Sequence, residues 1–92
     1  MTEFSLRLVA QQVQTPRGRV YRLVAYSTDH EFNSIEFNSL EDLRNTLLSA
    51  IPNFDCSELN PATTRDTQIL FTTGMRLSQA QISGLGFKMA AR

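Results

Sequence analysis

Tryptophan is absent from this chain, and cysteine, proline and glycine are scarce: one Cys, three Pro and four Gly in 92 residues. A single Cys56 leaves no internal disulfide. With His30 as the sole histidine, it also leaves too few soft ligands for a zinc site, which takes three or four. A lone thiol fits a reducing compartment. The low Pro and Gly content excludes a collagen period and low-complexity sequence. No apolar run exceeds four residues, far short of the roughly 20 that a membrane-spanning helix needs. An excess of one charge is missing too, with nine cationic and nine acidic side chains and a pI near 6.5. Binding nucleic acid by phosphate contact alone calls for a pI above about 9. The segment Met1–Arg7 has no basic stretch followed by an apolar one and does not read as a signal peptide. The expected location is therefore the cytoplasm.

What is present suffices for one core. The hydrophobic fraction is 41%, and the length predicts a single domain over residues 1–92. The zero net charge hides a segregation. Residues 1–28 hold Arg7, Arg17, Arg19 and Arg22 against Glu3 alone. Residues 29–66 hold eight acids against Arg44 and Arg65. Residues 67–92 hold Arg76, Lys88 and Arg92 with no acid. Lys88 is the only lysine. The other cations are arginines, whose planar fork suits phosphate and carboxylate.

Period-two alternation over 3–13 predicts a strand with Phe4, Leu6, Leu8 and Ala10 on one face. Val13 falls on the other parity, which predicts a bulge near Gln11–Gln12 or an end there. Thr15–Pro16–Arg17–Gly18 reads as a type I turn. Residues 19–27 make the second strand of a hairpin, with Tyr21, Leu23 and Ala25 sharing a face. After a turn at Ser27–His30, residues 31–38 read as a third strand. The near-repeat of Glu31–Glu36 in Glu36–Glu41 has a period too short for a solenoid unit.

Ser39 with Asp42 approximates a capping box and opens a helix whose stripe is Leu40, Leu43, Leu47, Leu48 and Ile51. Pro52 ends it. Residues 52–67 read as a loop anchored by Phe54 and Leu59, with room for a short strand near Phe54–Glu58. Gln68–Thr73 reads as a fourth strand closed by Gly74. Ser78 and Gln81 form a capping box, and Leu77 and Ile82 a hydrophobic staple, for a short second helix. Gly84 or Gly86 caps that helix. Phe87 and Met89 return to the core, and Ala90–Arg92 is a tail. The expected fold is α+β: an antiparallel sheet of about four strands in the order β-β-β-α-β-α, with one main helix packed on one face.

The residues capable of chemistry do not assemble a site. His30 lies between Asp29 and Glu31 but has no nucleophile placed beside it, and reads as a solvated turn residue. Cys56 has Asp55 and Glu58 as neighbours, which oppose a thiolate. Gly84–Leu85–Gly86 follows a helix, whereas a phosphate-binding loop precedes one. We expect no catalytic residues, no metal and no cofactor, and hence no enzyme.

The arginines are the stronger lead. With Leu6, Leu8, Leu23 and Ala25 facing the helix, Arg7 and Arg22 share the open sheet face with Val9, Val24 and Tyr26. Arg beside an aromatic ring suits protein interfaces and stacked bases alike. A solvated antiparallel face carries such charges too. The candidate binding residues, for protein or nucleic-acid phosphate, are Arg7, Arg17, Arg19, Arg22, Tyr26, Arg76, Lys88 and Arg92. The acidic middle fits a basic protein groove that normally holds nucleic acid.

A small cofactor-free α+β chain that starts with a hairpin and introduces its helix by Phe37–Asn38–Ser39–Leu40–Glu41–Asp42–Leu43 resembles phage-encoded inhibitors. Anti-CRISPR proteins directed at multisubunit, RNA-guided surveillance complexes are one such group. The resemblance lies in size, element order and charge segregation. It implies a stoichiometric binder that blocks target-DNA recognition by contacting Cas subunits and guide RNA in a host cytoplasm. That group shares no common site, so no residue is carried over. The expected partner is a larger protein or ribonucleoprotein complex, with RNA or DNA backbone contact and no membrane. A small nucleic-acid-binding domain acting alone and a homo-oligomeric structural protein are the other readings.

Overall fold

The computed structural model describes residues 2–56, 59 and 67–91. Its elements are β1 (Glu3–Thr15), β2 (Gly18–Tyr26), β3 (His30–Phe32), β4 (Ile35–Phe37), α1 (Leu40–Ala50), β5 (Gln68–Ser78), α2 (Gln79–Leu85) and β6 (Met89–Ala91). Four strands form an antiparallel sheet in the order β4-β2-β1-β5, and β3 and β6 form a second, two-stranded sheet. The fold is α+β, mostly strand. α1 packs against β2, β4 and α2, and α2 packs against β5. Both helices thus lie on one side of the larger sheet.

The hairpin forms as the sequence predicts, with Thr15 opposite Gly18. Thr15 Oγ1 accepts from the Arg17 amide at 3.2 Å and donates to the Gly18 carbonyl at 2.7 Å. Gly18 takes φ 122°, the positive-φ position that often follows a type I turn in a hairpin. Leu6, Leu8, Ala10, Tyr21, Leu23 and Ala25 are buried together with Leu40, Leu43 and Leu47 of α1. Ser39 caps α1 by accepting from the Asp42 amide at 3.1 Å. In α2 the capping box is complete: Ser78 Oγ accepts from Gln81 N at 3.2 Å, and Gln81 Oε1 accepts from Ser78 N at 2.9 Å. Gly86, at φ 102°, provides the left-handed C-cap.

Several expectations are corrected. β1 runs to Thr15, and its alternation never breaks. Gln12 takes the inward position and is 1% exposed, which leaves Val13 outward opposite Val20. The bulge is real but belongs to β5: Ala10 pairs with Phe71 and Gln11 with Ile69, so Leu70 is the extra residue. The predicted third strand is two strands in different sheets, separated at Asn33–Ser34. Asn33 Oδ1 accepts from the Lys88 amide at 2.6 Å, where the chain turns into β6. Ala90 and Ala91 are therefore sheet residues paired with Glu31 and His30, not a tail. β5 passes straight through Gly74 to Ser78. Leu48 leaves the helix stripe and is 37% exposed. Phe54, Asp55 and Cys56 form no strand, while Ser57, Glu58, 60–66 and Arg92 lie outside the described residues. The anchors hold: the Phe54 ring meets Phe71 at 5.3 Å, and Leu59 is buried, its carbonyl accepting from Arg44 Nη2 at 2.8 Å.

Candidate binding face

The Cα atoms span 40 × 28 × 17 Å, a plate two layers thick. Among the described residues, no element covers the sheet face opposite the helices. Strand pairing reads out that face row by row. Glu3 stands opposite Ser78, and Ser5 opposite Arg76. Tyr26, Arg7 and Gly74 form the next row, followed by Val24, Val9 and Thr72. Then come Glu36, Arg22, Gln11 and Ile69, and finally Val20 opposite Val13.

The four valines therefore make a broken apolar band: the row of Glu36, Arg22 and Gln11 parts Val24 and Val9 from Val20 and Val13, and Val9 is only 8% exposed. Tyr26 and Ile69 stand at its flanks, 53% and 59% exposed. Ile69 owes its place to the bulge. One extra residue inverts the side on which a strand presents its side chains, so Leu70 packs against the core and Ile69 turns outward.

At one end of the band lies an open hollow of about 900 Å³ lined by Arg7, Tyr26, Gly74 and Arg76, with Ser5, Ser27 and Thr28 at its rim. Gly74 gives the hollow a stretch of bare backbone. A Cβ there would stand 3.7 Å from Arg7 Nη2, so the Arg7 guanidinium lies across the bare backbone of β5. Its Nη1 donates to Thr72 Oγ1 at 3.4 Å, a long contact that leaves most of its donors for a ligand. No carboxylate among the described residues lies within salt-bridge range of Arg7 or Arg76.

The remaining sequence candidates do not join this cluster. Arg22 shares the face but donates from Nη2 to Glu36 Oε1 at 2.8 Å. Arg17 lies in the hairpin turn, roughly 30 Å along the strands from Arg7 at about 3.3 Å per residue. Arg19 pairs with Gln14 and so points to the helix side. Lys88 precedes β6 in the second sheet. Arg92 lies outside the described residues. The structure thus brings together Arg7, Tyr26 and Arg76 and separates Arg17, Arg19 and Lys88 from them. Sequence reasoning missed Gly74, Ser27, Thr28 and Ile69. A glycine in mid-strand, with an arginine two residues on, was the available signal for the hollow.

His30 is half-buried rather than a free turn residue, with its ring edge-on to Phe4 at 5.2 Å. Burial pushes the Cys56 thiol above its ordinary value; Arg44 opposes that shift and Asp55 adds to it. The described residues contain no group of three or more His, Cys, Asp or Glu able to hold a metal ion. None of their helices is long and apolar enough to cross a membrane.

The chain thus belongs to the small α+β proteins with a two-layer plate and one uncovered sheet face. Comparison with protein-family models, with curated proteins and with solved structures finds no match.

Proposed function

We propose that this chain is a non-catalytic inhibitor of the anti-CRISPR type. It seats its open sheet face on a multisubunit, nucleic-acid-handling complex and blocks that complex's recognition of target DNA. The observation that carries the reading is the composition of this face: an exposed Tyr26 and Ile69 flank a broken valine band that ends in two arginines without acidic partners among the described residues. Tyr and Arg dominate the energetics of protein interfaces. Arginines beside an aromatic ring also accept RNA. The acids of residues 29–42 favour approach to a basic groove through complementary fields.

The test is a gel shift of target DNA by purified RNA-guided surveillance complexes, with the chain added at increasing molar ratio. Loss of DNA binding near one chain per complex supports the reading. Unchanged DNA binding at large excess with every complex tested eliminates it. Replacing Ile69 and Val24 by Asp reports on the band, and replacing Arg17 and Arg19 by Glu reports on the hairpin tip. The band variant is expected to lose inhibition and the tip variant to retain it.

A second reading rests on β5, an edge strand of 11 residues without proline or lysine. Such an edge is a template for pairing with another strand, here a second copy of the chain. Light scattering decides it: a mass of two chains supports the homodimer, and a mass of one removes it.

A further inference from the structure

The hollow between Arg7 and Arg76 has a chemistry distinct from that of the valine band. It holds two guanidiniums on neighbouring strands, diagonal to one another across Gly74. Both line the hollow, so an anion seated there meets a cation from each strand. Ser27 and Thr28 add uncharged hydroxyls at the rim. Tyr26 stands beside them, more than half exposed at the end of β2, beyond its pairing with β4.

We propose that this hollow is a subsite for single-stranded nucleic acid. Arg7 and Arg76 hold successive backbone phosphates, and Tyr26 stacks a base. The assignment deepens the inhibitor reading and rests on it for the source of the strand, which would be an RNA segment exposed by the complex. Three features favour a nucleic-acid strand over an acidic protein side chain. A single carboxylate is satisfied bidentately by one Arg fork, whereas two forks without a described acidic partner match a ligand with repeated charge. The hollow is open and wide, as a passing chain requires. An exposed ring beside the forks is the arrangement that serves strand binding, where stacking on an aromatic and phosphate contact act together.

Gly74 gives the hypothesis a steric handle that leaves every charge in place. Its φ is not in the left-handed region, and a Cβ there meets only the mobile end of Arg7 at 3.7 Å and the Leu6 carbonyl at 4.0 Å. Gly74→Val therefore suits a strand and puts side-chain bulk on the floor of the hollow, against the Arg7 guanidinium.

The experiment uses the full chain with a fluorescent oligouridylate octamer, titrated between about 25 and 200 mM salt. Two phosphate contacts to a single strand predict a slope of log affinity against log salt of about −1.4, at roughly −0.7 per contact. Arg7→Gln and Arg76→Gln should each reduce that slope to about −0.7. Tyr26→Ala should weaken binding about tenfold, and Tyr26→Phe should restore it, since the stacking surface returns. Gly74→Val should weaken binding at least tenfold while the melting temperature holds or rises. A deoxyuridylate octamer run in parallel distinguishes RNA from DNA as the source, and equal binding of the two leaves the phosphate-and-base subsite intact.

No binding of either octamer at low salt overturns the assignment. So does binding that Arg7→Gln, Arg76→Gln and Gly74→Val all leave unchanged. If the chain inhibits a surveillance complex yet binds no octamer, the docking reading stands and the subsite falls. If it binds the octamer as described yet leaves target-DNA binding untouched, the subsite stands and the inhibitor reading falls.

Discussion

Arg22 Nη2 donates to Glu36 Oε1 at 2.8 Å across the β2–β4 pair, where the two residues stand directly opposite each other. This contact sets Arg22 apart from Arg7 and Arg76, which share its sheet face but have no such partner among the described residues. It also sits on β4, a three-residue edge strand whose Ile35 and Phe37 pack against the core.

Both side chains are substantially exposed, at 33% and 55%. Solvent screens such a pair, and its contribution is about 0–1 kcal/mol. Glu36→Gln keeps an oxygen acceptor for Arg22 and removes only the charge. Urea denaturation should show a loss below about 1 kcal/mol with an unchanged denaturant slope. A loss well above 2 kcal/mol would mean that the pair anchors β4 rather than decorating it.

The capping box of α2 should matter more than its exposure suggests. The helix is seven residues long, too short to persist on propensity alone. Ser78 and Gln81 each satisfy the other's backbone amide. Ser78→Ala should cost about 1 kcal/mol. In a domain of this size that lowers the melting temperature by about 4–8 °C, readable by circular dichroism. Ser78→Asp, which retains an acceptor and adds a favourable charge at the helix N-terminus, should recover most of the loss.

These caps were legible in the sequence because their chemistry is local: Ser78 and Gln81 are three residues apart, as are Ser39 and Asp42. The hairpin was legible for the same reason, with Pro16 and Gly18 marking its turn between two alternating runs. What was not legible depended on pairing at long range. His30–Phe32 and Met89–Ala91 are three-residue strands that exist through each other. Neither has a pattern of its own: in sequence the first reads as part of a longer strand and the second as a tail. Gly74 looked like a stop because glycine usually weakens strands. Its neighbour across the ladder, Arg7, is what makes a bare backbone useful there. The buried Gln12 hid the continuity of β1, since a polar residue in an inward slot imitates a phase change. The hollow itself joins residues from the two ends of the chain, and only the β1–β5 register places Arg76 beside Arg7.

Two adjacent leucines separate core from surface within α1. Leu47 is fully buried against the sheet, while Leu48 is 37% exposed. Leu47→Ala should cost about 2–5 kcal/mol through reduced burial and a residual cavity, a large share of the stability of a small domain. Leu48→Ala should stay within about 1 kcal/mol, since alanine's higher helix propensity offsets the modest packing that the leucine provides there. Equal losses in a chemical melt would place the helix in a rotation other than the one described.

Cys56 offers a test of the loop that α1 leads into. Burial raises its thiol above the ordinary value. The nearby Arg44 opposes that shift, and Asp55 reinforces it. The folded protein therefore holds this proton at a pH where the unfolded chain has released it. Because the native state then binds more protons than the unfolded one, stability falls as the pH climbs past the unfolded thiol's value. At neutral pH the group contributes no such slope. The thiolate is the reactive species, so alkylation by iodoacetamide under native conditions should be slower than for a free thiol. Its pH midpoint should lie above that seen in urea. Arg44→Gln removes a charge that lowers the value, and the native midpoint should move further up. A native midpoint at or below the unfolded one would place Cys56 in water, away from the packed side of the loop.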